Sequence, residues 1–288
     1  MSRVWVLGAN GMLGSRVSFA LSESKINFSE VTRAHFRTHQ LGSSQIGDIE
    51  SLRSLVKIYG NPTHIVNAIG VVKPRIDEGK IDSVIAAIHG NTLFPIHLGK
   101  FCETNGVHLI QIATDCVYSG NKGKYVESDP HDPSDVYGMT KSLGEFSSEN
   151  LSLIRCSIIG LELQNKYSLV EWVNSQPLGA SINGFTNHNW NGVTTKVFGM
   201  IVAGIVKNKV DPLGKFHLIP KDKVSKFQLV NLIKEEIGRH DLSVKEFNAR
   251  DIIDRTLSSE LMNQNTLAWE KSGFLAPPTI SEMIKLGL

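Results

Sequence analysis

The chain has 288 residues, of which 41% are hydrophobic and 20% charged, and its formal net charge is only +2. This composition is typical of a folded, soluble protein with one large α/β domain or a core domain and a smaller one, and it excludes a disordered chain. Because Lys and Arg form no dense cluster, we expect neither nucleic acid nor a membrane as a partner.

The cysteines and the first residues predict the cellular compartment. Cys102, Cys116 and Cys156 are widely spaced, which argues against a disulfide framework and against a metal site. The apolar run at 4–7 is too short for a signal peptide or a membrane span. We therefore expect a cytoplasmic protein with reduced thiols and no metal.

The first predicted elements are a short apolar strand at 3–7, a glycine-rich turn and a helix that continues to Leu21. Gly8 would permit the tight turn, Gly11 would let the backbone approach a pyrophosphate, and Gly14 would let the helix pack on the strand. This order of elements predicts a dinucleotide site. Its residues are Gly8, Asn10, Gly11, Met12, Leu13 and Gly14.

The second predicted strand, at 28–32, is followed by Arg33. An acidic residue at this point would meet the adenosine ribose of NAD, whereas a guanidinium suits the 2′-phosphate of NADP. The sequence therefore favours NADPH over NADH. Asp48 precedes a helix at 51–59, which it would cap, and we place Asp48 and Ile49 near the adenine.

The next strand and turn, at 64–70, read as a central parallel strand that ends at the cofactor. We expect Asn67, Ala68, Ile69 and Gly70 to line the cofactor there. Lys73 lies in the loop that follows. It either reaches a substrate diphosphate or is a solvated loop charge.

A long helix is predicted at 81–104, with Asn91 inside it, and an apolar strand at 107–113 ends at Thr114. Ligands of open α/β sheets bind at the carboxyl ends of strands, so this hydroxyl is well placed. Further on, Tyr137 and Lys141 are spaced to share one face of a helix. A nearby cation lowers the pKa of a phenol, which makes such a tyrosine a proton donor to a carbonyl that receives a hydride.

The regular alternation of strands and helices weakens after a predicted sixth strand at 153–160. We assign residues 1–160 to a nucleotide-binding domain and 161–288 mainly to a substrate-binding lobe, with some segments returning to the main domain. The stretch at 182–195 is rich in amides and includes Asn187 and Trp190, which suit a sugar or a base. Ser225 is predicted to cap a helix that runs to Ile237.

Four motifs together resemble the dTDP-4-dehydrorhamnose reductase family, whose members are extended short-chain dehydrogenases/reductases that act on nucleotide-linked deoxysugars. The motifs lie at 8–14, 114–120, 123–127 and 137–145. The resemblance implies an α/β fold of Rossmann type, a doubly wound parallel sheet with a small C-terminal substrate-binding lobe. It also implies that Asn91 bends its helix and holds a water beside the catalytic lysine.

The resemblance also implies a mechanism in which a hydride passes from NADPH to a keto carbon. Tyr137 would protonate the alkoxide, Lys141 would bind the nicotinamide ribose and lower the phenol pKa, and Thr114 would orient the carbonyl. Arg255 would contact the diphosphate, with a surface salt bridge as its alternative. The remaining expected substrate contacts are Lys73, Thr114, Asp115, Cys116, Val117, Asn187 and Trp190.

Other functions of the same fold stay open. The segment 115–118 reads Asp-Cys-Val-Tyr and departs from the Asp-Tyr-Val-Phe of rhamnose-pathway reductases, so it is closer to relatives that reduce UDP-linked N-acetylated 6-deoxysugars for surface polysaccharides. One alternative is an epimerase with tightly bound NAD. A second is a non-catalytic subunit, because one branch of the family is a regulatory partner of methionine adenosyltransferase. A homodimer is left open as the oligomeric state.

Overall fold

The computed structural model of the chain describes residues 3–32, 35, 49–163, 166–209 and 211–288. The helices in these ranges are α1 Met12–Glu23, α2 Ile49–Tyr59, α3 Ile81–Ile88, α4 Phe94–Asn105, α5 Val136–Leu143, α6 Leu169–Asn174, α7 Thr195–Asn208, α8 Lys226–Glu236, α9 Met262–Lys271 and α10 Ile280–Leu286. The strands are β1 Arg3–Leu7, β2 Asn27–Val31, β3 His64–Asn67, β4 His108–Ile112, β5 Leu151–Arg155, β6 Ile158–Ile159, β7 Ser181–Phe185, β8 His188–Trp190, β9 Val193–Thr194, β10 Gly214–His217, β11 Val224–Ser225, β12 Ser243–Phe247 and β13 Ile253–Asp254.

The main sheet is parallel, with the strand order β10-β5-β4-β3-β1-β2. The side chains of β1 alternate between two cores: Val4 and Val6 pack with α1 and α7 on one face, whereas Trp5 and Leu7 pack with α2 and α4 on the other. A strand covered on both faces needs apolar side chains at successive positions, which explains the continuous apolar run. The predicted doubly wound α/β sheet of Rossmann type is confirmed.

The predicted long helix at 81–104 is bent by a π-helical turn at His89–Leu93, between α3 and α4. The Asn91 side chain lies in this turn and is fully buried. Its amide donates to Val71 O at 2.9 Å and to Thr140 Oγ1 at 3.1 Å, and its carbonyl accepts from Val71 N at 2.8 Å. The predicted bend at Asn91 is therefore present, because the side chain ties the turn to a loop and to α5.

The chain after residue 160 both returns to the main sheet and forms smaller sheets. Strand β10 pairs with β5, while the smaller sheets have the orders β11-β8-β13, β12-β7 and β6-β9. The predicted sixth strand at 153–160 is wrong: β5 ends at Arg155, and the sixth strand of the main sheet is β10. The chain leaves the sheet because Ser157 O accepts from Val193 N at 2.9 Å. The domain division at residue 160 stays a prediction.

The caps of the C-terminal helices follow the local sequence. Ser225 and Gln228 form a reciprocal capping box at the start of α8, as the serine at this position predicts. Among the residues described, every helix is too short or too polar to span a bilayer.

Two histidines share one carboxylate where β3 and β4 begin. His64 Nε2 lies 3.2 Å from Asp211 Oδ1, and His108 Nδ1 lies 3.7 Å from Asp211 Oδ2. His108 Nε2 is also 2.8 Å from Ser152 Oγ. Burial lowers the pKa of His108 to about 4, although the charge of Asp211 opposes this effect. His108 is therefore neutral in the folded chain at neutral pH.

We expect the free energy of unfolding of His108→Asn to fall less on acidification than that of the wild-type chain. The pKa of His108 is about 4 in the folded chain against a reference value of 6.5, so the unfolded chain binds more protons between these values. Stability is therefore lost as the pH falls from 6.5 towards 4, by up to about 3 kcal/mol from this group. Urea unfolding between about pH 4 and pH 7 measures the slope. The exposed His240 gives the control variant His240→Asn, and equal slopes in both variants would contradict the assignment.

Candidate functional site

The glycine turn joins β1 to α1 at the carboxyl edge of the sheet. Gly8 has a φ of 80°, and its carbonyl accepts a hydrogen bond from Gly11 N at 2.9 Å. A Cβ on Gly14 would lie 2.2 Å from Gly8 O, so only glycine lets α1 begin this close to the turn. The backbone roles predicted for Gly8 and Gly14 are met, while contact of Gly11 with a pyrophosphate stays a prediction. Of the other predicted turn residues, Asn10 is exposed, Met12 opens α1 and Leu13 is buried.

The loop after β3 lies against this turn. A Cβ on Gly8 would be 3.1 Å from the carbonyl carbon of Ala68, and Ala68, Ile69 and Gly70 are half-buried. The Asn67 amide donates to Gln111 Oε1 at 2.8 Å and accepts from Ile69 N at 3.1 Å. Its side chain therefore holds the loop in shape, which leaves only the backbone of Asn67 for the predicted cofactor contact.

Three predicted cofactor residues lie at or beyond the limits of the described ranges. Arg33 and Asp48 are outside the described residues, and Ile49 is described only as the first backbone position of α2. The preference for NADPH that Arg33 indicates therefore stays a prediction.

The predicted catalytic residues Thr114 and Tyr137 lie together. Thr114 is the second residue after β4. Tyr137 is in the first turn of α5, whose N-cap Asp135 accepts from Gly138 N at 2.8 Å. A Cβ on Gly138 would lie 2.3 Å from Cys116 O, so a glycine is required for α5 to lie against the segment after Thr114. The Thr114 hydroxyl is a hydrogen-bond partner of the Tyr137 phenol.

Lys141 completes this group from the next turn of α5. Its ammonium donates to the carbonyl of Ile112, the last residue of β4, at 2.9 Å. Burial lowers the pKa of Lys141 to about 8, opposed by the nearby carboxylate of Glu145. Burial likewise raises the pKa of the Tyr137 phenol, and the Thr114 hydrogen bond only partly offsets it.

The predicted lowering of the Tyr137 pKa by Lys141 is absent from this structure. The burial effect on the phenol is the larger one, and the ammonium is engaged with a backbone carbonyl. Thr114, Tyr137 and Lys141 are thus assembled as predicted, but the phenol is neutral and holds its proton at neutral pH.

A buried ion pair lies just past the end of α5. Arg155 donates through Nε and Nη2 to both carboxylate oxygens of Glu145, at 2.9 and 2.6 Å, and both side chains are only 3% exposed. Arg155 Nη1 also donates to Tyr118 Oη at 3.0 Å and to His217 Nε2 at 3.1 Å. This arrangement joins the segment just after α5 to β5, β10 and the segment after Thr114. The sequence reasoning missed it.

Three charges converge next to Thr114. Asp115 is 9% exposed, and burial raises the pKa of its carboxyl, while the positive charges of Arg255 and Lys226 oppose that shift. Arg255 Nε donates to Tyr118 O at 2.9 Å, and no ion pair involves Arg255 among the described residues. The Lys226 ammonium lies 5.8 Å from the centre of the Trp190 ring, and burial lowers its pKa. Arg255 thus lies beside Asp115, and its predicted contact with a diphosphate stays a prediction, whereas Lys226 was missed.

Some side chains predicted to bind the substrate instead contact other residues of the protein. Lys73 Nζ lies 2.8 Å from Asp135 Oδ2, so Lys73 pairs with the cap of α5 in this structure. Val117 is fully buried with Tyr118, Tyr125 and Leu257, so the predicted contact of its side chain with substrate is wrong. Cys116 is half-buried beside Asp115, with its thiol 3.7 Å from Asp115 Oδ1.

Asn187 and Trp190 form hydrogen bonds that hold the small C-terminal sheets to neighbouring segments. The Asn187 amide donates to Ala249 O at 2.7 Å and accepts from Ala249 N at 3.1 Å. Trp190 is 4% exposed, and its indole N–H donates to Ser157 Oγ at 2.8 Å. Both side chains thus have a structural role, because they bind other parts of the protein, and their predicted contacts with substrate stay predictions. The described residues contain no cluster of three or more potential metal ligands.

Comparisons with known proteins agree with this geometry. The chain is 32% identical over 142 residues to a dTDP-4-dehydrorhamnose reductase of Streptomyces griseus, a match that covers 49% of the chain and 42% of the relative. It is 31% identical over 145 residues to methionine adenosyltransferase 2 subunit beta of Rattus norvegicus, covering 50% of the chain and 41% of the relative. These matches therefore span less than half the length of those two relatives.

A solved structure extends the likeness in fold over the whole chain. The dTDP-4-dehydrorhamnose reductase of Bacillus anthracis, solved in complex with NADP, superposes with a TM-score of 0.77 at 17% identity, covering 99% of this chain and 98% of that one. The family model for the RmlD substrate binding domain matches residues 2–170, which is more than half of the chain. The resemblance indicated by the four sequence motifs is thus confirmed, and the chain belongs to the RmlD substrate binding domain family.

Proposed function

We propose that this chain is an NADPH-dependent reductase of a keto group on a nucleoside-diphosphate-linked 6-deoxysugar. The observation that carries the proposal is the assembly of Thr114, Tyr137 and Lys141 at the end of β4, on the edge of the sheet that also bears the glycine turn. The carboxyl edge of a doubly wound sheet is where such folds bind their ligands. The NADP in the similar Bacillus anthracis structure supports the choice of cofactor.

Each residue has a role that follows from its position. When bound, the cofactor supplies a hydride to the keto carbon. Tyr137, whose pKa is raised by burial, keeps its proton at neutral pH and delivers it to the oxygen as negative charge develops there. Lys141 is charged below about pH 8 and adds a positive charge beside that oxygen, and Thr114 orients the carbonyl.

The substrate end of the site carries positive charge. Arg255 and Lys226 have no salt-bridge partner within the described residues, and both interact with the charge of Asp115. Two such cations suit the diphosphate of a nucleotide sugar. A cavity of about 400 Å³ is lined by the residues on either side of Lys226 in the sequence, Ser225 and Phe227, and its mixed polar and aromatic lining suits a nucleoside. It is lined by Thr186, Asn189, Lys223, Val224, Ser225, Phe227, Gln228 and Glu246.

The proposal is tested by NADPH oxidation with the purified chain and a panel of dTDP-, UDP- and GDP-linked keto sugars. We expect oxidation with one nucleotide class, either a dTDP-linked 6-deoxysugar or a UDP-linked N-acetylated one made for surface polysaccharides. A chain that oxidises NADPH with none of them, and that co-purifies with a stable protein partner, is instead a binding subunit. Isolation with stoichiometric NAD⁺ and interconversion of epimers would identify an epimerase.

The fall of kcat/KM at alkaline pH should reflect the loss of the proton from Lys141. Because the pKa of Lys141 is about 8, its ammonium loses its proton above that pH, and kcat/KM should fall about tenfold for each further pH unit. In Lys141→Arg the guanidinium stays charged, so any residual activity should lack this limb. An unchanged fall in kcat/KM in that variant would assign the limb to another group.

We also propose a cytoplasmic homodimer. Cys102 and Cys156 are free, buried thiols, which suits a reducing compartment. The neighbouring helices α3 and α5 expose large apolar side chains: Ile81 is 78%, Leu143 67% and Met139 47% exposed. A second copy would cover this face. Light scattering should give twice the mass of one chain. The double variant Ile81→Lys with Leu143→Lys should give the mass of one chain. If the unchanged protein is already a monomer, the proposed homodimer is wrong.

A further inference from the structure

The first turn of α5 carries Tyr137 and is the part of that helix least held by the helix's own bonds. The first N–H groups of any helix have no partner inside it, and α5 has only eight residues. Its first internal bond runs from Met139 N to Asp135 O at 2.9 Å. The Asp135 carboxylate accepts from Gly138 N at 2.8 Å. Neither bond serves Val136 N, which directly precedes Tyr137 in the chain.

A surface loop at 71–80 supplies an acceptor for this N–H from a distant part of the chain. Glu78 Oε1 accepts from Val136 N at 3.1 Å, and Val136 N has no other partner within the described residues. In the same loop, Lys73 Nζ lies 2.8 Å from Asp135 Oδ2. A carboxylate beside the first N–H groups of a helix also interacts favourably with the helix dipole. The loop thus binds both residues that come directly before the proposed general acid.

The 71–80 loop is itself held on both sides. At its start, the Asn91 side chain bonds both backbone groups of Val71, at 2.8 and 2.9 Å, and also donates to Thr140 Oγ1 in α5. Near its far end, Asp77 N donates to Ser83 Oγ in α3 at 2.9 Å. A bond from a fixed loop orders a helix end more than a bond to mobile water does, because less freedom is lost when it forms.

The two contacts between the loop and α5 differ in weight. The Lys73 side chain is 63% exposed, and exposed ion pairs are screened by salt and contribute little to stability. Glu78 is exposed as well, but its partner is a backbone N–H at the start of a helix. Loss of a side-chain acceptor at this end of a helix typically has a larger effect than loss of a surface ion pair. The hydrogen bond of Glu78 is therefore the contact through which the loop acts on α5.

We propose that Glu78 is a positioning residue for Tyr137, which holds the first turn of α5 in the form in which the phenol meets Thr114. The inference rests on the proposed function, in which Tyr137 delivers a proton. A displacement of about 1 Å in such a group can lower the rate by about 10²-fold, so loosening of this one turn should lower kcat. Because Glu78 acts only through the phenol, its effect on kcat should vanish once the phenol hydroxyl is removed.

The test measures kcat for NADPH oxidation in Glu78→Ala and Glu78→Gln, each alone and combined with Tyr137→Phe, with the most active sugar of the dTDP-, UDP- and GDP-linked panel. We expect Glu78→Ala to lower kcat about 3- to 30-fold and to leave the Kd of NADPH nearly unchanged. Glu78→Gln keeps an amide oxygen that can accept the hydrogen bond, so it should retain most of the activity. Combined with Tyr137→Phe, Glu78→Ala should lower kcat further by less than about twofold.

Asp82→Ala is the matched control for these variants. Asp82 is an exposed carboxylate in the first turn of α3, and its side chain forms no hydrogen bond within the part of the chain that the structure describes, so the variant should keep the wild-type kcat. An unchanged kcat in Glu78→Ala, or an equal loss in Glu78→Gln, would overturn the inference. So would an equal fold-loss with and without Tyr137→Phe, because that result is the mark of a general structural role.

A measurement without substrate separates this inference from the proposed reduction. Amide hydrogen exchange at Met139 reports the opening of the first turn of α5, and we expect it to become about 3- to 30-fold faster in Glu78→Ala but not in Asp82→Ala. An unchanged exchange rate in Glu78→Ala would overturn the inference. Faster exchange in a chain that reduces no keto sugar would support the role of Glu78 in holding α5 and would reject the proposed reduction.

Discussion

Tyr137→Phe should lower kcat by about 10²- to 10⁴-fold, the typical contribution of a general acid. The variant keeps the aromatic ring and removes only the hydroxyl that pairs with Thr114. Binding of NADPH, measured by fluorescence titration, should stay nearly unchanged. A loss of kcat without a loss of cofactor affinity therefore separates proton delivery from folding and binding.

The matched control for this variant is Tyr167→Phe. Tyr167 is 53% exposed, and its hydroxyl forms no hydrogen bond within the described part of the chain. Its removal should leave kcat unchanged. An unchanged kcat in Tyr137→Phe would show that Tyr137 is not the general acid.

Glu145→Gln should destabilise the fold by about 3 to 5 kcal/mol, the usual cost of removing one partner of a buried ion pair. The variant leaves the Arg155 guanidinium, 3% exposed, without its balancing charge. The loss is measured as the free energy of unfolding in urea. Because Glu145 also raises the pKa of Lys141, the alkaline limb of kcat/KM should move to lower pH in the same variant.

Glu103→Gln is the control, since Glu103 pairs with Lys100 at the surface and is 57% exposed. A surface pair of this kind contributes about 0 to 1 kcal/mol. If the two variants lose similar free energies of unfolding, the buried Arg155–Glu145 pair does not stabilise the fold more than a surface pair does.

The charges around Asp115 illustrate a site that local patterns do not reveal. Lys226 is the first residue of α8 and reads in the sequence as an ordinary residue after a serine cap. It reaches the site only because β11 pairs with β8, which carries Trp190. A cation beside a predicted cap at the start of a helix is too common to mark a site, so the sequence offered no usable signal for Lys226.

The sequence by itself determined the parallel sheet, the glycine turn and the order of Thr114, Tyr137 and Lys141. These features depend on short spacings: continuous apolar runs for strands buried on both faces, glycines where a Cβ would clash, and a spacing of four positions that puts two side chains on one helix face. Such patterns involve neighbours in the chain, so they can be read before the fold is known.

Only the tertiary structure decided which polar side chains are free to meet a ligand. Lys73, Asn187 and Trp190 looked available, yet each is satisfied by a distant partner, at Asp135, Ala249 and Ser157. The pKa of Tyr137 was likewise set by burial rather than by Lys141. Hydrogen bonding and desolvation depend on residues far apart in the chain, and this is why the chemistry of the substrate end, at Asp115, Lys226 and Arg255, became visible only in the folded molecule.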